Sequence, residues 1–217
     1  MSSKEKHIPA LRFHWLTRYY DRLVAFTMQD EKFKRSVLKY ADIQPHQKVL
    51  DFGVGTATLS ILAKLEFPTL GITGLDVDEK VLKIAAKNVE KAGVKLDLLR
   101  YDGVEIPFAD GSLDTIISSL VFHHLQPDQK SKALSEIFRV LKPGGTLVIA
   151  DWHRPSTIFH AAGFFFVRVL DGFSNTYDHA KGNLPQFMEM AAFKEVELKA
   201  KYNSILGTVG VFRAKKN

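Results

Sequence analysis

The feature that most constrains this chain is a change of hydrophobic period at residue 48. Before it, apolar residues recur at helical spacing: Leu16, Tyr19, Tyr20, Leu23, Val24 and Phe26, then Phe33, Val37, Leu38 and Ala41, with a break at Met28-Gln29-Asp30. From Lys48 onward, short apolar runs alternate with amphipathic stretches. Residues 48–52 read as a buried strand closed by Gly53-Val54-Gly55, and Thr56 is placed to cap a helix reaching about residue 66. Residues 70–75 form the next strand, with Asp76 at its end. Asp78 opens a helix that Gly93 stops. Strands follow at 95–101 and 113–119, then a helix from Pro127 to about residue 141 and a turn at Lys142-Pro143-Gly144-Gly145. A fifth strand spans 146–150, with Asp151 just beyond it. Such alternation predicts a parallel sheet covered by helices on both faces.

The last third changes style. Residues 155–170 read as a Phe-rich apolar helix and 183–192 as a shorter one. Strands at 194–201 and 205–213 are joined by Tyr202-Asn203-Ser204 alone, a link long enough for a hairpin and too short for a parallel crossover. The prediction is an α/β fold with a seven-stranded mixed sheet, five parallel strands and a C-terminal antiparallel hairpin. No internal repeat and no separating linker is visible, so 1–217 reads as one domain.

Composition removes several classes of function. The chain has no cysteine, which excludes disulfides, thiolate metal sites, iron–sulfur clusters and a Cys nucleophile, and makes a cytoplasmic setting the expectation. No apolar run reaches the roughly 18 residues of a membrane span, and Met1-Ser2-Ser3-Lys4-Glu5-Lys6-His7 lacks a signal-peptide apolar region. Net charge is +6, but it is uneven: residues 1–48 carry 10 Lys/Arg against 5 Asp/Glu, and residues 191–217 carry 6 against 2. The part between them is slightly acidic, with 14 against 17. Solvated ends explain this better than a nucleic-acid groove.

The chemistry is concentrated at Val49-Leu50-Asp51-Phe52-Gly53-Val54-Gly55-Thr56-Ala57-Thr58. Glycines straight after a buried strand allow a tight turn and close approach of a ligand. Asp76, 23 residues after Gly53, is placed to bond the hydroxyls of a ribose. The plainer alternative is a strand-to-helix turn with a surface aspartate. Three details decide the kind of ligand. The sixth position of the dinucleotide fingerprint holds Thr58 instead of Gly or Ala, and no Gly-Lys-Ser/Thr is present. Asp51 would repel a pyrophosphate and attract a cation. A positively charged nucleoside is favoured over NAD(P), and with it a reading other than oxidoreductase.

At these residues the chain resembles the class I S-adenosylmethionine (SAM)-dependent methyltransferases, and among them the small-molecule enzymes of ubiquinone and menaquinone biosynthesis. Further stretches carry the likeness: Gly74-Leu75-Asp76-Val77-Asp78, Tyr101-Asp102-Gly103-Val104-Glu105-Ile106-Pro107-Phe108, Ser112-Leu113-Asp114-Thr115-Ile116-Ile117-Ser118 and Leu141-Lys142-Pro143-Gly144-Gly145-Thr146-Leu147. The resemblance implies a Rossmann-like sheet divided into an N-terminal helical cap (1–44), a SAM-binding core (45–155), an acceptor-side helical insertion (156–192) and the hairpin (193–217). It also implies roles: Gly53 and Gly55 against the methionine part of SAM, Asp51 near its amino group, Asp76 on the ribose and Val77 on the adenine. Asp102 would accept from the adenine amino group, helped by the Gly103 backbone, and the Ser118 backbone would border the methionine. Demethylated SAM, S-adenosylhomocysteine, would be the product. Ala57 departs from the family, which often has a third glycine there. Asp114 reads as structural.

The acceptor is less legible. His123 follows the fourth strand and His153 the fifth, at the carboxyl edge where such sheets bind ligands. Either suits a general base for a phenol or enol, with loop packing the plainer alternative for His123 and a structural role the alternative for His153. No metal site is expected. The Phe-rich segment fits a lid over an apolar acceptor pocket, a peripheral membrane contact or plain core. Nucleic-acid acceptors are disfavoured: Ser118-Ser119-Leu120-Val121-Phe122 stands where base amino methyltransferases carry an Asn/Asp-Pro-Pro-Tyr motif. A small, partly apolar molecule is expected instead. A non-catalytic SAM-binding protein on the same fold remains the alternative.

Overall fold

The computed structural model describes residues 30–217. The first predicted helix, with Trp15, Tyr19 and Tyr20, lies outside the described residues. Helix α1 (Asp30–Ala41) leads into strand β1 (Lys48–Phe52), α2 (Thr58–Glu66), β2 (Gly71–Asp76), α3 (Glu79–Lys91), β3 (Asp97–Arg100) and β4 (Leu113–Ser119). A one-turn 3₁₀ helix (Phe122–His124), α4 (Pro127–Val140), β5 (Leu141–His153), α5 (Ile158–Asp171), α6 (Phe173–Lys181), α7 (Leu184–Met190), β6 (Lys194–Ser204) and β7 (Gly207–Lys215) follow.

The seven strands form one sheet in the order β3-β2-β1-β4-β5-β7-β6. Strands β1 to β5 pair in parallel, while β7 runs antiparallel to both β5 and β6. The expected fold is observed. Alternate residues of each strand serve opposite faces, because successive side chains point to opposite sides. Val49, Ile117, Val148 and Ala150 pack with Phe33, Val37, Leu38, Leu59, Phe164 and Val167 of α1, α2 and α5. Leu50, Ile116, Leu147 and Ile149 pack with Leu134, Ile137, Leu184 and Met188 of α4 and α7. The strand order reverses beside β1, so β1 and β4 diverge to opposite helical layers and open a crevice at their carboxyl ends.

Several boundaries differ from the sequence reading, each for a local reason. Strand β5 continues through Asp151, Trp152 and His153 because β7 supplies partners as far as Thr208. Asp151 and His153 therefore sit on the strand and not beyond it. Lys142-Pro143-Gly144-Gly145 turns within β5: Leu113 pairs Leu141 and Thr115 pairs Thr146, so four residues are accommodated opposite Asp114. The hairpin turn falls at Ile205-Leu206, because Tyr202, Asn203 and Ser204 are paired with Val209, Thr208 and Gly207. Helix α2 has Ala57 at its N-cap with φ 65°, and no side chain caps it, in place of the expected Thr56 cap. Helix α6 was not separately predicted. Gly163 lets α5 lie directly on the hairpin, since an added Cβ would stand 1.8 Å from Ile205 O.

Candidate functional site

The glycine loop is fastened to the end of β2. Backbone N–H groups of Gly53 and Val54 both donate to Leu75 O, at 2.8 and 2.9 Å. Gly53 (φ 72°) and Gly55 (φ 55°) occupy the left-handed region that favours glycine. A Cβ on Gly53 would meet Val121 Cγ2 at 2.3 Å, whereas one on Gly55 meets only Gly53 O, at 4.0 Å. The loop is thus closed toward the turn after β4 and open above Gly55.

Asp76 ties the loop to its own strand end. Its Oδ2 accepts from Gly55 N at 3.0 Å and its Oδ1 from Asp78 N at 3.0 Å. Burial raises its pKa, and those backbone donors offset part of the rise. Asp51, at the heart of β1, is buried and accepts from Ser60 Oγ at 2.6 Å. Burial pushes its carboxyl up to about 6, against the lowering effect of the Ser60 hydroxyl and the Lys34 charge.

The remaining predicted cofactor residues cluster around this pair. Tyr101 N donates to Asp76 O at 3.1 Å, which sets Asp102 beside the β2 end. Asp102 Oδ1 caps its own turn by accepting from Val104 N (2.8 Å) and Glu105 N (3.3 Å), and these bonds lower its pKa. A Cβ on Gly103 would stand 3.4 Å from Val77 Cγ1, so these two residues face each other. Ser118 is buried and its Oγ donates to Phe52 O at 2.9 Å, holding β4 to the strand that ends in the glycine loop.

The two predicted histidines are not brought together. His123, on the 3₁₀ turn, is buried with Nδ1 2.7 Å from Asp151 Oδ1 and Nε2 3.7 Å from Asp171 Oδ2. Burial disfavours its charged form, but the Asp151 and Asp171 carboxylates prevail and hold its pKa above the ordinary value. Asp151 Oδ2 also accepts from the backbone N–H groups of Val121, Phe122 and His123, at 3.1, 2.7 and 3.3 Å. Against the effect of burial, His123 and His179 keep Asp151 well below the usual carboxylate range. His153 lies elsewhere on β5, against Phe212 and beside Gly182. Burial, then Lys201, His179 and Arg154, lower its pKa to about 4, so its ring is neutral at pH 7.

Sequence reasoning missed the partners that organise these groups: Ser60 on Asp51, Val121 on Gly53, and Asp171 with His124 and His179 around Asp151. Asp171 left one signal, a lone acid ending an apolar helix. A depression of about 410 Å³ lined by Leu70, Ile72, Val89 and Leu96 lies at the opposite, amino-terminal edge of the sheet. It has no part in this arrangement.

The donor set fits SAM. A buried carboxylate sits near the end of β1, a second acid sits at the neighbouring strand end, and glycine backbone is open between them. Comparison with known proteins agrees. Residues 49–145 match the family model described as a methyltransferase domain. A demethylmenaquinone methyltransferase of Thermus thermophilus is 30% identical over 62% of this chain and 60% of its own length. An uncharacterized methyltransferase of Synechocystis is 32% identical over 67% of this chain and 66% of its own. The chain thus spans about three fifths to two thirds of the curated relatives it matches. A SAM-dependent methyltransferase of Aquifex aeolicus superposes with a TM-score of 0.62 at 23% identity, covering 84% of this chain and 89% of that one, which speaks for the fold. The matched segment makes residues 49–145 a methyltransferase domain, built on the fold that the SAM-dependent methyltransferase of Aquifex aeolicus also has.

Proposed function

We propose that the protein transfers a methyl group from SAM to a small, partly apolar acceptor. The observation that carries this reading is the bond from Gly55 N to Asp76 Oδ2, which joins the open glycine loop to a ribose-binding carboxylate. SAM supplies an electrophilic methyl on a sulfonium; an acceptor lone pair bonds to that carbon as the sulfur–carbon bond breaks. The chain's own work is to bind and align. Asp51, Gly53 and Gly55 hold the methionine end, with the Ser118 backbone alongside. Asp76 holds the ribose, and Val77, Asp102 and Gly103 hold the adenine. Alignment of two reactants accounts for up to ~7–11 kcal/mol of barrier lowering in intramolecular analogues.

The acceptor side lies beyond β4 and β5, under α5 and α6. Phe164 and Val167 turn into the core, whereas Phe159, Phe165, Phe166 and Val169 are exposed. Helix α5 is therefore both core and surface, and the exposed Phe159, Phe165, Phe166 and Val169 support a peripheral membrane contact. No helix among the described residues is long and apolar enough to cross a membrane. A cysteine-free chain supports a cytoplasmic setting. Between the two histidines, His153 is the candidate proton acceptor: its ring is neutral at pH 7, whereas both nitrogens of His123 face carboxylates.

Calorimetry with SAM, S-adenosylhomocysteine and NAD tests the cofactor, and labelled-methyl transfer into a cell extract tests the reaction. SAM binding that Asp76→Ala weakens by roughly 100-fold, with label appearing in a small molecule, is expected. Binding without transfer to any acceptor would favour the non-catalytic alternative. Label in RNA or protein would overturn the acceptor class.

A further inference from the structure

Three metal-binding donors converge beside the carboxyl ends of β4 and β5. His123 Nε2 is 3.7 Å from Asp171 Oδ2, and His124 Nδ1 is 3.8 Å from Asp171 Oδ1. One donor atom from each of the three residues lies within 4.8 Å of the others. These separations are too long for hydrogen bonds. They approach the edge of about 3.4 Å expected between donors set tetrahedrally on zinc at bond lengths near 2.0–2.1 Å.

Two further observations show a framework around the cluster. Asp151 Oδ1 engages His123 Nδ1 at 2.7 Å, and Asp151 is itself pinned by three backbone N–H groups of the same turn. A carboxylate on one ring nitrogen turns the other toward a cation, as in carboxylate–histidine–zinc arrangements. Asn175 Nδ2 donates to both His124 O (3.1 Å) and Asp171 O (3.3 Å), so one side chain ties together the two segments that carry the donors. The His123 and Asp171 side chains are almost wholly enclosed, at 3% and 0% exposure, whereas His124 is 27% exposed. The cluster is therefore reached from one side.

We propose that His123, His124 and Asp171 form a binding site for one divalent first-row transition metal of the zinc type. Two imidazoles and one carboxylate suit such an ion, and alkaline-earth ions prefer all-oxygen sites. Three protein ligands leave at least one position on the metal for water or an acceptor oxygen, as in catalytic and unlike structural zinc sites. This inference does not rest on methyl transfer, and it departs from the sequence-based expectation of no metal.

The test uses the full chain, stripped with chelator and titrated with zinc alone against a chromophoric competitor. His124→Gln and Asp171→Asn are compared with His46→Ala and His153→Ala. One zinc per chain is expected, weakened at least about tenfold by either cluster variant and unaffected by the two outlying histidines. Cobalt(II) titrated into the unmutated chain gives visible d–d absorption and paramagnetically shifted imidazole signals from two histidines, so the outcome stands even where a variant fails to fold. Absence of stoichiometric binding below about 100 μM metal, or binding that tracks His46 or His153, overturns the proposal. SAM affinity, measured in parallel, separates loss of this site from failure of the cofactor reading.

Discussion

Asp151 Oδ1 stands 2.7 Å from His123 Nδ1, and Asp151 Oδ2 gathers the backbone N–H groups of Val121, Phe122 and His123. One buried carboxylate on β5 thus both shapes the turn after β4 and orients the ring that turn carries. Removing one member of a buried pair leaves the other uncompensated, at a cost of about 3–5 kcal/mol. Asp151→Asn should lower stability in urea unfolding by about 3 kcal/mol, and a double-mutant cycle with His123→Ala should show coupling above about 1 kcal/mol. Near-additive losses would mean that capping, and not the ring contact, is what Asp151 supplies.

How much of this was legible in the sequence depends on whether a feature is local. The strands, the glycine loop and the acids at 51, 76 and 102 could be read because each is set by neighbours within a few residues. The end of β5 could not, because His153 is strand only by pairing with Thr208, far along the chain. His123 and Asp171 are separated by α4 and β5 and most of α5, and no spacing rule joins them. The Phe-rich helix carried two messages in one composition: Phe164 is core while Phe165 and Phe166 are exposed, and only the packed partner distinguishes them. Ala57 shows the reverse case. The family's frequent third glycine falls where this chain has φ 65°, so the motif recorded a backbone requirement that Ala57 meets under strain.

Asp51 gives the cofactor site a pH dependence. Its folded pKa is raised to about 6 from 3.8, so the folded chain holds this proton longer than the unfolded chain does. Its contribution to stability is complete below about pH 4 and declines as pH rises through 6, by roughly 3 kcal/mol. Binding runs the other way. The amino group of SAM favours the carboxylate form, so affinity should rise between pH 5 and 7.5 with proton release below about 6. Calorimetry in buffers of different ionisation enthalpy measures that proton. Asp51→Asn should flatten the affinity profile; an equally steep profile in the variant would assign the titration to another group.

Gly53 is confined from two sides. Its φ of 72° and the 2.3 Å approach of a built Cβ to Val121 Cγ2 are separate obstacles to any side chain. Gly53→Ala should cost about 2–4 kcal/mol in unfolding free energy and weaken SAM binding by displacing the turn after β4. Adding Val121→Ala removes both Cγ atoms but leaves Cβ at 3.1 Å, so it should recover part of the stability and leave the backbone strain. Full recovery would show that the left-handed conformation costs little here.

His153 and His123 make opposite predictions for catalysis. Burial and nearby cations hold His153 at a pKa of about 4, so it is neutral and able to accept a proton across the physiological range. A proton acceptor of this kind gives a kcat that is flat from pH 6 to 8 and falls as pH drops through about 4 to 5. General-base contributions run to roughly 10²–10⁴-fold, realised only if the acceptor must lose its proton in the reaction. His153→Ala should therefore lower kcat by at least about 100-fold with a hydroxyl acceptor and leave the SAM dissociation constant unchanged. His123→Ala should instead lower stability through the loss of its bond to Asp151, with kcat of the metal-free chain falling only as the fold does. If His153→Ala turns over at the unmutated rate, proton removal is not its task, and the chemistry then rests on alignment of an acceptor that is already nucleophilic.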